Sequence, residues 1–173
     1  MKSNDLPKRK PTRLKNYDYS SHGAYFVTIC THNRKQILSH ITVGQGLAPA
    51  ENELTAYGKI AEEQLLNLGK RYANIKIDKY VIMPNHIHII VLIENYPDKS
   101  DYTAGASPCP TLSDVICTYK SLTARLCKKV YPVERIFQNS FHDHIIRNEK
   151  DYEKIWEYIE NNPCKWENDC FFE

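Results

Sequence analysis

The chain has 173 residues, of which 42% are hydrophobic and 25% are charged, and its formal net charge is +2. These values are ordinary for a globular protein, and a chain of this length buries a sizeable core as one domain. No apolar run approaches the roughly 20 residues that span a bilayer, so we expect no membrane-spanning segment.

The positive charge is concentrated at the start of the sequence. Residues 1–16 carry a net charge of +5, which leaves −3 for residues 17–173. We therefore predict a basic arm, residues 1–16, and a single folded domain, residues 17–173. Basic arms often follow nucleic-acid phosphates, because each neutralised phosphate releases counterions; a solvated tail without a partner is the alternative. The candidate phosphate contacts in the arm are Lys8, Arg9, Lys10, Arg13 and Lys15.

Two features indicate the cellular compartment. The basic start lacks the apolar region of a secretory signal peptide. The six cysteines include no Cys-x-x-Cys pair, which favours scattered reduced thiols over a zinc ribbon or a disulfide framework. We therefore expect a cytoplasmic protein.

The first half of the folded domain reads as a strand, a loop, a helix and two strands. Residues 24–32, "AYFVTICTH", are rich in aromatic and β-branched residues and predict a strand. Residues 40–52, with two glycines and a proline, predict a loop. Residues 54–72 have apolar residues at helical spacing, in spite of Gly58, and predict an amphipathic helix. The β-rich runs "IKIDKYVIM" and "HIHIIVLIE" then predict a hairpin that turns at Pro84 and Asn85.

The second half reads as a loop, a helix, a strand and a last helix. After the breaker-rich residues 95–110, Thr111 and Asp114 form a capping-box pattern at the start of a helix. Residues 135–147 predict a short extended segment, and the last helix begins after Asn148 and ends at Pro163. The order of elements favours an α+β fold, an antiparallel sheet with helices packed mainly on one face.

A pair of histidines stands inside the most apolar strand. Side chains alternate along a strand, so His86 and His88 share one face with Ile90 and Leu92. The other face is the core face, and it carries Ile87, Ile89, Val91 and Ile93. Residues two apart in a strand are about 6 to 7 Å apart, which lets two imidazole nitrogens converge on one cation. Two hydrogen-bonded structural histidines are the alternative interpretation.

Two other patterns bear on the same site. His142 and His144 also stand two apart, but they end a weaker extended run beside a helix start, so we favour the first pair; a mixed site is left open. On the last helix, Tyr158 and Asn162 are four residues apart and share a face, where an amide oxygen could join the imidazoles and a phenol could act as a nucleophile. A packing role for Tyr158 is the alternative.

Several blocks resemble one family. "VIMPNHIHIIV" resembles the histidine-hydrophobic-histidine motif of the single-tyrosine HUH transposases. "DHIIRNEKDYEKIWEYIENNPCKW" resembles the terminal block of their REP-associated tyrosine transposase branch, with its Tyr-Ile-x-x-Asn-Pro signature. "RLKNYDYSSHGAYFVTICTHNR" and "YKSLTARL" also resemble family blocks, so the resemblance covers most of residues 13–166. Relatives usually carry a Trp where this chain has Phe137, and no extended region follows Trp166.

The resemblance implies a fold, an activity and roles for particular residues. It implies a ferredoxin-like, RRM-like HUH fold, with His86, His88 and Asn162 as metal ligands and Tyr158 as the nucleophile. The implied enzyme is a transposase-like strand transferase that cleaves and rejoins single-stranded DNA through a 5′-phosphotyrosine, with Mg²⁺ or Mn²⁺ as cofactor. The implied partner is a hairpin-forming repeat or element end, and a homodimer is left open. Further DNA contacts are expected at Lys120 and Arg147, in addition to those of the arm.

Two functions of other classes remain as alternatives. A hydrolytic nuclease would use the same metal site with an activated water, and Tyr158 would then be structural. A non-catalytic binder of single-stranded nucleic acid would stack bases on an exposed sheet face, with Tyr25, Phe26 and Tyr80 as platforms.

Overall fold

A computed structural model describes residues 17–42, 50–95, 110–130 and 135–172. The predicted basic arm, residues 1–16, lies outside the described residues, and so do its five candidate phosphate contacts, Lys8, Arg9, Lys10, Arg13 and Lys15.

The described chain contains six strands and four α-helices. The strands are Gly23–Cys30 (β1), Ser39–Thr42 (β2), Glu51–Leu54 (β3), Ile75–Ile82 (β4), His86–Ile93 (β5) and His142–Ile146 (β6). The helices are Ala56–Leu66 (α1), Leu68–Arg71 (α2), Leu112–Val130 (α3) and Glu149–Asn161 (α4), and short 3-10 segments span His32–Arg34 and Pro163–Asn168.

Four strands form one antiparallel sheet in the order β4-β5-β1-β6. Its core face carries Ile87, Ile89 and Val91 of β5, which belong to one buried hydrophobic cluster with residues of α1 and α3. Tyr119 of α3 crosses this cluster, and its hydroxyl donates to the Ala61 carbonyl of α1 at 3.1 Å. The remaining long helix, α4, packs against β4 and β5. The predicted α+β fold, with helices mainly on one face, is confirmed.

The predicted loop at residues 40–52 is partly wrong. The strands β2 and β3 pair with each other and form a separate two-stranded sheet. This pair is attached to β4 by polar side chains rather than by an apolar face, so its sequence shows no apolar alternation. The Ser39 hydroxyl and the Asn52 amide both donate to the Ile82 carbonyl at the end of β4, at 3.1 and 2.9 Å.

The predicted helix starts are confirmed by their caps. Thr111 and Asp114 form a reciprocal capping box, with the Thr111 N–H donating to Asp114 Oδ2 at 2.9 Å and the Asp114 N–H donating to Thr111 Oγ1 at 3.3 Å. The Asn148 side chain accepts from the Asp151 N–H at 2.9 Å at the start of α4. Within the part of the chain that the structure covers, no helix combines the length and the apolar character that a membrane crossing requires.

Gly58 sits in the first turn of α1 because the chain passes very close to it. A Cβ atom at this position would lie 2.0 Å from the carbonyl oxygen of Leu38. Any side chain here would push α1 away from the residues that lead into β2. The glycine that weakened the sequence prediction of this helix is therefore a requirement of its packing.

Candidate active site

The two histidines of β5 lie near the middle of the sheet, on the face that α4 covers. His86 is opposite Cys30 of β1, and His88 is opposite Thr28. Their ring centroids are 4.4 Å apart, so the imidazoles are in contact. Although they point away from the main core, their exposed fractions are only 0% and 1%. The alternation of β5 is as predicted, and the histidine face is covered by other parts of the chain.

Each imidazole is held by its Nδ1 atom. A hydrogen bond of 2.9 Å joins His88 Nδ1 to Thr28 Oγ1, and another of 2.9 Å joins His86 Nδ1 to Asn85 Oδ1. His86 Nε2 is buried and has no hydrogen-bond partner. Metal-binding histidines are commonly oriented through their second ring nitrogen in this way. Both Nδ1 atoms are thus used in hydrogen bonds, and the Nε2 atoms are the candidate ligand atoms.

Burial keeps both imidazoles neutral. It lowers the pKa of His86 to about 3, and the charge of Arg34 adds to this effect. Burial, followed by the neighbouring His86, holds the pKa of His88 well below its usual range, against a smaller opposing effect of Asp169. A neutral imidazole is the form that binds a metal.

The last helix brings Tyr158 and Asn162 to the histidines. Tyr158 Oη lies 3.2 Å from His88 Nε2 and 3.2 Å from Asp169 Oδ2, and its side chain stays 39% exposed. Asn162, which directly follows α4, is buried; its Nδ2 donates to Asp169 Oδ2 at 2.9 Å, while its Oδ1 is buried without a partner. The structure thus brings together all four residues that the resemblance singled out.

A further residue of the site, Asp169, was not among the residues predicted from the sequence. Ligand atoms of His86, His88 and Asp169 all lie within 4.8 Å of one another, so this carboxylate completes a cluster that can hold a cation. Asp169 follows the 3-10 segment Pro163–Asn168, where no helical or strand periodicity indicates which way a side chain points. The available signal was a carboxylate seven residues after Asn162, in a chain end rich in aromatic residues.

The surroundings of Tyr158 favour its protonated form. Burial raises the pKa of the Tyr158 hydroxyl, and the charge of Asp169 and the hydrogen bond to it raise the pKa further. The group is therefore a phenol at neutral pH in this arrangement. It can attack an electrophile only if its proton is transferred, and the carboxylate that accepts its hydrogen bond is in position for that transfer.

The end of the described chain covers the histidines. The Phe171 ring lies 4.6 Å from the His86 ring and 5.8 Å from the His88 ring, between centroids. The Asn85 amide donates to the Phe171 carbonyl at 2.7 Å, and the Arg34 guanidinium lies 4.8 Å from the Phe171 ring centroid. Arg34 has a φ of 49°, a left-handed backbone conformation that is uncommon for a residue other than glycine. These contacts explain why the histidine face is buried although it points away from the main core.

No family model matches the sequence. An uncharacterised protein of Haemophilus influenzae is 34% identical over an alignment 173 residues long. The alignment covers 95% of this chain and 93% of the relative. The chain belongs to the same family as this Haemophilus protein.

A solved structure shares the fold of this chain. A REP-associated tyrosine transposase bound to a REP hairpin matches it with a TM-score of 0.60 and 22% sequence identity, over 89% of this chain and 73% of that chain. The resemblance to REP-associated tyrosine transposases is thereby confirmed at the level of the fold.

The rival histidine pair lies apart from this cluster. His142 and His144 are exposed on β6, where they face Thr28 and Phe26 of β1. His144 Nε2 lies 2.8 Å from Asp151 Oδ2 in the first turn of α4. This contact gives His144 a role in joining β6 to α4, and the first pair is the one that meets Tyr158.

The other predicted nucleic-acid contacts are scattered. Lys120 lies on α3, and Arg147 is exposed between β6 and α4. The prediction of Tyr25 as a stacking platform is wrong, because this residue is fully buried in the core. The hydroxyl of Tyr80, the second predicted platform, donates to Glu62 Oε1 of α1 at 3.0 Å. Phe26 remains on the site face, with its ring centroid 5.1 Å from that of His88.

Proposed function

We propose that this protein is a strand transferase of the REP-associated tyrosine transposase type, which cleaves and rejoins single-stranded DNA through a 5′-phosphotyrosine. The observation that carries the proposal is the meeting of Tyr158 Oη with His88 Nε2 at 3.2 Å, beside a second buried imidazole and a buried amide. The matched transposase, bound to a REP hairpin, supports a hairpin-forming DNA repeat or element end as the substrate.

The residues present fit a divalent cation. His86 Nε2 and Asn162 Oδ1 are both buried without a hydrogen-bond partner. Leaving a buried polar atom unpaired costs about 1–3 kcal/mol, and coordination would satisfy both atoms. Two imidazole nitrogens with an amide oxygen suit Mn²⁺, and they accept Mg²⁺ when phosphate oxygens complete the shell. When bound, such a cation polarises the scissile phosphate and stabilises the charge that develops on it.

The chain itself supplies the nucleophile and an acceptor for its proton. The Tyr158 oxygen forms a bond to phosphorus as the bond from phosphorus to the 3′ oxygen of the DNA breaks. The phenolic proton passes to Asp169, whose carboxylate already accepts the Tyr158 hydroxyl. The 3′ oxygen leaves and takes up a proton as a free hydroxyl. Rejoining reverses these steps with another 3′ hydroxyl, and the phosphotyrosine conserves the energy of the broken bond.

A covalent adduct tests the proposal. Wild-type protein, incubated with Mn²⁺ and a labelled single-stranded oligonucleotide that contains a hairpin, should yield a denaturation-resistant protein–DNA adduct. Tyr158→Phe should bind the oligonucleotide without forming the adduct. Tyr152→Phe is the matched control, because Tyr152 lies on the same helix but donates to Asp78 and makes no contact with the histidines. Cleavage that continues in Tyr158→Phe without an adduct would indicate a hydrolytic nuclease instead.

A further inference from the structure

A groove lies between α3 and residues 135–139, on the α3 side of the sheet. Its volume is about 280 Å³. Cationic side chains line it from both walls: Lys120 and Lys128 from α3, and Arg135 from the opposite segment. Lys120 and Lys128 are eight residues apart, which puts them on one face of the helix. No carboxylate belongs to the lining as far as the described residues define it.

The polar lining also suits an anion. Ser121, Gln138 and Asn139 add a hydroxyl and two amides, all of which can donate hydrogen bonds. Like charges brought together without an acid repel one another, so an arrangement of this kind becomes favourable when an anion lies between them. The groove therefore has the composition of a phosphate-binding surface rather than that of an ion-pair network.

Lys120 is held in a fixed orientation at the base of this arrangement. Its Nζ donates to the carbonyls of Asn139 and Ser140 at 2.9 and 3.2 Å. An ammonium group has three N–H donors, so one remains for a ligand. Burial lowers the pKa of Lys120, with nearby Arg135 adding to the effect and Cys117 opposing it. An anion in the groove would offset the cost of keeping this half-buried ammonium charged.

Backbone hydrogen bonds connect one wall of the groove to the end of β1 that lies beside His86. The His32 N–H donates to the Ile136 carbonyl at 2.7 Å, and the Gln138 N–H donates to the Cys30 carbonyl at 3.0 Å. These bonds attach residues 136–138 to the end of β1 at which Cys30 faces His86. The segment then leads into β6. The groove and the histidines thus lie at the same end of the sheet, on its two sides.

We propose that this groove binds the sugar–phosphate backbone of the single-stranded DNA that flanks the cleavage site. The proposal rests on the proposed function, because it assumes that the strand at Tyr158 is DNA. A strand that leaves the tyrosine site can pass around the end of β1 and follow residues 135–139 into the groove. The residues there contact phosphates, so the groove contributes affinity without reading the base sequence.

The salt dependence of binding tests the groove. The double variant Lys128→Ala/Arg135→Ala removes two exposed cations, and leaves Lys120 to hold its two carbonyls. The matched control, Lys70→Ala/Arg71→Ala, removes the same charge from a basic pocket at α2. Binding of a single-stranded oligonucleotide is measured without a divalent cation, between about 50 and 200 mM salt, the range over which phosphate contacts show their salt dependence.

The groove variant should lose two phosphate contacts. For single strands, each contact contributes about 0.7 to the slope of log affinity against log salt, so the slope should become shallower by about 1.4. Affinity should fall by roughly tenfold near 200 mM salt, while the control stays close to wild type. An equal change in both variants, or an unchanged slope in the groove variant, would overturn the proposal. Tighter binding of an RNA strand of the same sequence through the groove would also overturn it.

Chemical modification of Cys117 gives a second readout, which is independent of the salt dependence. This exposed cysteine lines the groove. Bound oligonucleotide should slow its alkylation, measured by peptide mass spectrometry, and the slowing should be lost in the groove variant. Absence of protection in wild type would contradict the proposal. Adduct formation at Tyr158 is measured separately. If the adduct forms normally but the groove does not bind DNA, only this inference is rejected. If the groove binds DNA but no adduct forms, only the proposed strand transfer is rejected.

Discussion

At the scale of single residues, two buried polar atoms of the site have no hydrogen-bond partner. His86 Nε2 and Asn162 Oδ1 are buried without partners, although each belongs to a residue whose other polar atom is hydrogen-bonded. Both residues could be selected from the sequence, His86 by strand alternation and Asn162 by the resemblance of its Tyr-Ile-x-x-Asn-Pro block to the transposase family. Asp169 could not, because its position depends on how the chain turns after α4.

Loss of a proposed ligand should remove metal binding. His86→Ala should weaken Mn²⁺ binding by more than about 100-fold, because even groups that merely orient a ligand contribute 10–100-fold. Free Mn²⁺ can be followed by electron paramagnetic resonance during titration, which makes the result independent of activity. His144→Ala is the control, since His144 is exposed and contacts Asp151 instead. Equal weakening in the two variants would reject His86 as a ligand.

The role of Asp169 can be separated from metal binding. Asp169→Asn keeps the size of the side chain but removes the carboxylate that accepts the Tyr158 hydroxyl. We expect adduct formation to slow by about 100-fold or more, the usual contribution of a proton acceptor. Mn²⁺ affinity should change only a few-fold. If affinity and rate fall together by similar factors, Asp169 is a metal ligand rather than the proton acceptor.

At the scale of elements, sequence periodicity predicts the strands and helices that have a regular apolar pattern. The strands β4 and β5 and the helices α3 and α4 follow from alternation, helical spacing and their caps, as at Asn148. The β2–β3 pair has no such pattern, since its attachment to β4 depends on the polar groups of Ser39 and Asn52.

The contact of α1 with the segment before β2 should be sensitive to a single methyl group. Gly58→Ala places a Cβ 2.0 Å from the Leu38 carbonyl, which forces the backbone to shift. We expect a loss of about 1–3 kcal/mol in the free energy of unfolding, as for other overpacked sites, measured by urea denaturation. Gly69→Ala is the control, because its Cβ would meet the nearest atom, the Ile75 carbonyl, only at 3.4 Å. Equal stability of the two variants would contradict this account of Gly58.

At the scale of the whole molecule, the four-stranded sheet has a core face and a site face. Its core face packs on α1 and α3 and provides stability, and its other face carries the histidines below α4. The sequence predicted this division because β5 alternates. It did not predict that Phe171 would close the histidine face, since a contact between β5 and a residue more than eighty positions later depends on the packing of the complete fold.

The most direct test of the central claim is to identify the residue that carries the DNA. The adduct formed by wild-type protein and a hairpin-containing single strand is digested with nuclease and protease, and the modified peptide is sequenced by mass spectrometry. The account predicts a nucleotide joined through its 5′ phosphate to Tyr158, in the peptide from the end of α4. A nucleotide on any other residue, or joined through a 3′ phosphate, would contradict it.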